Sequence, residues 1–233
     1  MKKFYLLASI LTIALVDSYA SLATDSATSY GGAWNSGDNN GTGFTAWTFD
    51  YSGGFGTSGQ YIKDNSRWAL WANSGTVSAS RGFTGLQIGD SINFDIEHTP
   101  TINGEVGLTL SKNGTDVFNL KFAGGGSSWT AWDPSSGTYG LSQGYEANTP
   151  LSFSFEVIGN FEYSLDFGSA SRGIQFAGQN IEGIDEITFY NNYQGDSQNF
   201  SIGDMSVIPE PATIGLLGFV GSSLVFVRKR FSA

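Results

Sequence analysis

The sequence predicts an all-β fold: a two-sheet antiparallel sandwich of jelly-roll type, with an N-terminal signal helix and a single apolar helix at the C-terminus. Three observations predict it. Between residues 24 and 207 apolar side chains alternate with polar ones in run after run, the period of a strand with one face in a core and one in water. Asn-Gly and Gly-Asn pairs stand between such runs, where tight hairpins require them. The chain also has 32 glycines, 15% aromatic residues and only 14% charged residues. That is the make-up of a packed β domain, since disordered chains are poor in aromatics. About ten to thirteen short strands follow from the pattern, with a closed barrel as the alternative arrangement.

Residues 1–23 read as a secretory signal peptide. Lys2 and Lys3 precede an apolar stretch from about Phe4 to Val16. Small residues then stand three and one positions before two alternative cuts, after Ala20 (Ser18, Ala20) or after Ala23 (Ser21, Ala23). The apolar stretch is too short for a comfortable membrane span.

Residues 24–207 form the sandwich domain. Ile92, Phe94 and Ile96 interleave with Asn93, Asp95 and Glu97, and Val106, Leu108 and Leu110 follow the same rule. So do Phe118-Leu120-Phe122, Leu151-Phe153-Phe155-Val157 and Phe161-Tyr163-Leu165-Phe167. Hairpins are expected at Asn113-Gly114 and at Gly159-Asn160, because Asn and Gly tolerate the positive φ of two-residue turns. The domain holds 6 basic and 19 acidic side chains between residues 21 and 207, a net charge of −13. Phosphate contacts need clustered Lys and Arg, so no nucleic-acid partner is expected.

Residues 208–233 form a tail in three parts. Pro209, Glu210 and Pro211 come first, then an uncharged run of 16 residues from Ala212 to Val227, then Arg228, Lys229 and Arg230. A helix of that length covers about 24 Å, short of a hydrocarbon core of roughly 30 Å, so it spans only marginally. The basic end stays cytoplasmic, which places the domain outside the inner membrane.

Pro209-Glu210-Pro211-Ala212-Thr213, the glycine-containing span and the terminal basic cluster resemble the PEP-CTERM sorting signal of exopolysaccharide-making Gram-negative bacteria. The resemblance implies recognition by exosortase, an integral-membrane cysteine transpeptidase. It also implies a transient stay in the inner membrane, removal of the tail, and release or anchoring at the cell surface or in the extracellular matrix. The body has a looser likeness. "YGGAWNSGDNNGTGFTAWTFDYSGG", "RWALWANSG" and "GIDEITFYNNYQGDSQNFSIGDMSV" resemble a widespread group of exported bacterial sandwich domains. That likeness implies a concanavalin-like or carbohydrate-module-like jelly roll without an established activity.

Chemistry is sparse in the residues. There is no cysteine and one histidine, His98, so Cys–His catalysis, thiolate metal sites and a His-based zinc site have no ligands. His98 ends a strand and reads as a satisfied or solvent-facing loop residue. Glu162 and Asp166 share a strand face but nothing else marks them, and Glu182, Asp185 and Glu186 open a strand. Asp38, Asn40, Thr42 and Gly43 match half of a calcium loop, but Phe49 stands where its bidentate Glu belongs. No cofactor and no metal are expected. Tryptophans three apart on a strand face opposite ways, which splits the pairs Trp68/Trp71 and Trp129/Trp132 between core and surface. Trp71, Trp129 and Trp132 are the candidates for stacking on sugar rings.

The expectation is a non-catalytic exported sandwich that binds or scaffolds exopolysaccharide. The alternatives are a hydrolase or lyase acting on polysaccharide, and a self-associating surface adhesin.

Overall fold

The alternating runs are the strands of two facing antiparallel sheets in a computed structural model, which describes residues 21–53, 56–99, 103–192 and 199–209. In chain order the strands are β1 (Ala23–Asp25), β2 (Thr48–Ser52), β3 (Ser58–Lys63), β4 (Arg67–Ala72), β5 (Thr76–Gly82) and β6 (Ser91–His98). Then come β7 (Glu105–Lys112), β8 (Thr115–Ala123), β9 (Ser128–Asp133), β10 (Gly137–Gly144) and β11 (Leu151–Gly159). The last are β12 (Glu162–Phe167), β13 (Ala170–Phe176), β14 (Glu186–Asn192), β15 (Asn199–Ile202) and β16 (Met205–Ile208). A 3₁₀ turn over Ala27–Tyr30 follows β1.

One sheet runs β13-β12-β11-β6-β15-β4-β3, with β16 beside β6 and β1 beside β16. The other runs β10-β9-β8-β7-β14-β5-β2. Sixteen described strands exceed the expected number partly because Gly203 and Asp204 interrupt one strand line. β15 pairs with the Ile96–His98 half of β6, and β16 with its Ser91–Asn93 half. The signal segment and the C-terminal helix lie outside the described residues. Among the described residues no helix is long and apolar enough to cross a membrane.

The inward positions make one continuous core between the sheets. Phe94 and Phe153 are register partners on β6 and β11, and their rings stack at 4.6 Å. Phe118 of β8 meets Phe155 of β11 at 5.0 Å across the sandwich. Buried rings of this size contribute a large share of the burial energy, and their edge-to-face and offset contacts add about 0.5–1.5 kcal/mol per pair. Phe161 departs from the alternation. It is 44% exposed because it occupies the β11–β12 turn, so that run begins at Tyr163.

Turn chemistry sets the hairpins. Asn113 (φ 49°) and Gly114 (φ 73°) both take the positive φ of a two-residue turn between β7 and β8. The Gly159-Asn160 hairpin forms without positive φ at either residue, through a register shift after Val157. Asp64 (φ 51°) and Asn65 (φ 54°) also take positive φ, in the three-residue connection between the paired Lys63 of β3 and Arg67 of β4.

The start of the domain is held by a buried ion pair. Asp25 on β1 meets Arg81 on β5, both with fully buried side chains. Tyr30 donates its hydroxyl to Asp25 at 2.5 Å, and the Trp47 indole N–H donates to Tyr30 at 3.1 Å. The Arg81 guanidinium lies 4.5 Å from the Phe44 ring centre and 4.6 Å from that of Trp47. A buried charge pair is tolerated only when hydrogen bonds and geometry compensate desolvation, and here they do.

Candidate functional site

Strand alternation sends every second residue of the nine-stranded sheet to its outer face. On β6 those residues are Ser91, Asn93, Asp95 and Glu97, and on β11 they are Ser152, Ser154 and Glu156. Arg67 stands at the start of β4, on the far side of β15 from Asp95. Its Nη1 donates to Asp95 Oδ2 at 2.5 Å and its Nε to Ser201 Oγ at 3.2 Å. Glu97 Oε2 lies 3.7 Å from Arg67 Nε, and Lys63 Nζ reaches Glu97 Oε1 at 2.5 Å. Four charges of alternating sign thus run from β3 to β6.

Glycine at 203 makes room for this arrangement. A Cβ there would sit 2.1 Å from Asp95 Oδ1, so any other residue would collide with the carboxylate. The same Gly203 ends the β15 line and hands the chain to Asp204, which is exposed. The result is a groove of about 610 Å³, lined by Arg67, Asn93, Asp95, Ser152, Ser154, Asp204 and Ser206 with Thr28 and Ser66 at its side. A second cavity of about 380 Å³ adjoins it and shares Asp204 and Ser206, with Thr24, Ser29, Asn40 and Thr42 among its walls. Both are wide and open to solvent, a shape that would leave a ligand partly exposed along its length.

The lining suits hydroxyl-bearing ligands. Serine, threonine and asparagine both donate and accept, and carboxylates accept from sugar hydroxyls. Asp95 keeps 30% of its side chain exposed while engaged with Arg67, so a ligand can reach it. Glu97 keeps only 11% and serves to hold Arg67 and Lys63.

The expected site residues fall in different places. Trp129 points into the core, fully buried, with its ring 4.9 Å from that of Phe167 and 5.7 Å from that of Phe122. This corrects its candidacy for sugar stacking, since its face is covered by other rings. Trp68 is buried as well, whereas Trp71 and Trp132 are half-buried on outer faces, as the three-residue spacing predicts. They belong to opposite sheets, so no single platform holds both. Trp71 lies against Gly59, where a Cβ would come within 2.9 Å of its indole nitrogen.

His98 is not a loop residue. It is the last residue of β6, and its even position in the alternation turns it inward, 2% exposed, stacked 5.5 Å from Phe122. Its Nδ1 lies 3.1 Å from the Thr99 carbonyl, and burial lowers its pKa from 6.5. Glu162 and Asp166 do share the outer face, and Asp166 stands opposite Ser154, one strand beyond the groove wall.

In the half calcium loop the oxygens serve the chain itself. Asp38 accepts the Asn35 amide N–H at 2.7 Å, and Thr42 meets Thr24 at 3.1 Å. Among the described residues no group of three or more His, Cys, Asp or Glu is placed to hold a metal ion. Pro209 follows directly on β16, and Ala23 lies within β1. Ala20, Glu210, Pro211, Arg228, Lys229 and Arg230 lie outside the described residues.

The groove residues carried only a partial signal in the sequence. Alternation already places Asn93, Asp95 and Glu97 on one polar face. Arg67 is 28 residues away from Asp95 in the chain, and the Gly203-Asp204 pair at the break reads locally as a hairpin turn, whereas here it divides one strand line into β15 and β16 along the same partner.

No family model and no curated protein matches the chain. Solved structures do. One titled "Prominent members of the human gut microbiota express endo-acting O-glycanases to initiate mucin breakdown" is 9% identical, with a TM-score of 0.60, covering 82% of this chain and all of that one. A sialidase is 10% identical with a TM-score of 0.57 over 70% of this chain, which spans only 17% of that protein. The alginate lyase AlgAT5 of polysaccharide lyase family 7 is 10% identical with a TM-score of 0.50, over 64% of this chain and 81% of that one. At such identities the likeness shows the fold, a two-sheet β-sandwich. It also corrects the expectation of a non-catalytic protein: sandwiches of this build are found among enzymes that act on carbohydrates, so the fold gives no ground for excluding catalysis.

Proposed function

We propose that this protein is an exported, polysaccharide-directed jelly roll that holds a glycan in the groove over β6, with Asp95 and Asp204 as the carboxylates that act on a glycosidic linkage. The observation that carries the proposal is the open, hydroxyl-rich groove in which both carboxylates line one cavity. Glycoside hydrolysis needs two carboxyl groups facing one linkage, one to protonate the leaving oxygen and one to activate water or attack the sugar. Arg67 fixes the position of Asp95, while Asp204 stands exposed at the meeting point of the two cavities. Carbohydrate-active proteins among the structural neighbours support the reading.

Delivery belongs to the same proposal. The PEP-CTERM-like tail would bring the domain to exosortase and then to the cell surface or matrix, where exopolysaccharide is the abundant partner. The test is to incubate the purified full-length chain with a panel of polysaccharides and measure both retention and new reducing ends. Retention by wild type, with end release lost in Asp95→Asn and Asp204→Asn, is expected. A wild-type chain that neither retains nor cleaves any polysaccharide overturns the proposal.

A further inference from the structure

We infer that the occupant of the groove is an uncharged, hydroxyl-rich glycan chain long enough to lie over both cavities, and not a polyuronate; the inference rests on the groove being a glycan site. The argument is one of charge. Arg67 is the basic residue among the groove's lining residues, and it is committed to Asp95 at 2.5 Å and to Glu97 at 3.7 Å. Lys63, beside the groove, is committed to Glu97. Asp25 in the second cavity is balanced by Arg81. Asp204, which lines both cavities, adds a negative charge that no described ion pair takes up. Two cations therefore stand against three outer-face carboxylates, on a domain of net charge −13.

A polyuronate carries a negative charge on nearly every sugar, and juxtaposed like charges reject a partner. Both cations here already hold carboxylates, so neither stands free to pair with a uronate carboxylate. An uncharged chain meets no such penalty. Its hydroxyls find acceptors in Asp95 and Asp204, and groups that both donate and accept in Ser152, Ser154, Ser206 and Asn93. Length follows from continuity, because the smaller cavity begins at the Asp204 and Ser206 that close the larger one.

The test compares retention of the full-length chain on neutral glucans and xylans with retention on polygalacturonate and alginate of matched length, at low and at moderate salt. Retention on a neutral polymer is expected to be much stronger than on the polyuronates, whose retention is weak at low salt and lost at moderate salt, with oligosaccharides weakening as they become too short to cover both cavities. In Asp95→Asn and Asp204→Asn, polyuronate retention at low salt should rise about threefold per charge removed, since a like charge about 6 Å away in water-like surroundings disfavours binding by about that factor. Polyuronate held more tightly than every neutral polymer, and lost in Arg67→Gln, overturns the inference while leaving the groove a glycan site. Failure to retain polymers of either kind overturns the groove reading itself.

Discussion

Arg67 on β4 reaches over β15 to set its Nη1 2.5 Å from Asp95 Oδ2 on β6, with its Nε on Ser201 Oγ of the strand between. One side chain thus spans three strands of the sheet and forms part of the groove floor. Arg67→Gln is expected to cost about 1.5–3 kcal/mol in stability, since Arg67 and Glu97 are mostly buried and lose charged hydrogen bonds. Polysaccharide retention should weaken by about tenfold, because Asp95 loses the group that orients it. Thermal melting beside an affinity measurement separates the two effects.

The Asp25–Arg81 pair behaves differently because no water reaches it. Arg81→Met leaves a buried carboxylate without a counter-charge and is expected to destabilise the fold by about 3–5 kcal/mol. Adding Asp25→Leu should restore much of that loss. Denaturant unfolding of the single and double variants checks the prediction, and additive losses would contradict it.

Stability is expected to fall in mild acid through His98. Burial lowers its pKa in the folded chain from 6.5, so as pH falls the unfolded chain takes up the proton first. Stability from this group is full above about pH 6.5 and declines as pH drops below that value. Replacing His98 by Phe, which keeps the stack on Phe122, should remove the decline below about pH 6.5 that this group contributes to the melting profile.

The tryptophans separate packing from surface. Trp129→Ala is expected to cost about 3–5 kcal/mol by opening a cavity among Phe122, Phe167 and His98. Trp132→Ala, on the outer face of the opposite sheet, should leave glycan retention unchanged. Unaltered melting in Trp129→Ala, or lost retention in Trp132→Ala, would contradict this placement.

The proposed export would leave two readable ends. Cleavage after Ala20 keeps β1 whole, whereas cleavage after Ala23 removes a residue 1% exposed and paired with Val207. Mass spectrometry of the exported protein is expected to give Ser21 as its first residue. Deleting residues 209–233 should abolish processing and surface retention, and unchanged behaviour would refute the sorting role of the tail.

Much of the fold is legible in the sequence because a period of two carries burial directly. The inward residues of β6, β8 and β11 can be read off one by one, and so can the Asn113-Gly114 turn. The Asp64-Asn65 turn is harder, since neither residue is glycine and only the pairing of Lys63 with Arg67 forces positive φ on both. Which aromatic residue of a mixed pair goes inward depends on register, which is fixed by strands distant in the chain. The groove is the least legible part. Its floor joins β4, β6, β11 and the β15–β16 break, and its geometry rests on an absent side chain at Gly203 and on sheet order, neither of which leaves a local pattern.

The pairing of β1 with β16 has a consequence for how the domain is used. Ala23 faces Val207, and the Leu22 N–H donates to the Val207 carbonyl at 2.8 Å, so the two ends of the described chain leave the sandwich side by side. Such a domain behaves as a cassette, inserted into or cut out of a longer polypeptide without disturbing its layers. A short linker joining Ile208 to Ser21 would close the chain into a ring, and new ends could be opened at an exposed hairpin such as Asn113-Gly114. The smaller cavity lies against this same pair of strands, so whatever tethers the ends also holds one wall of the proposed glycan site.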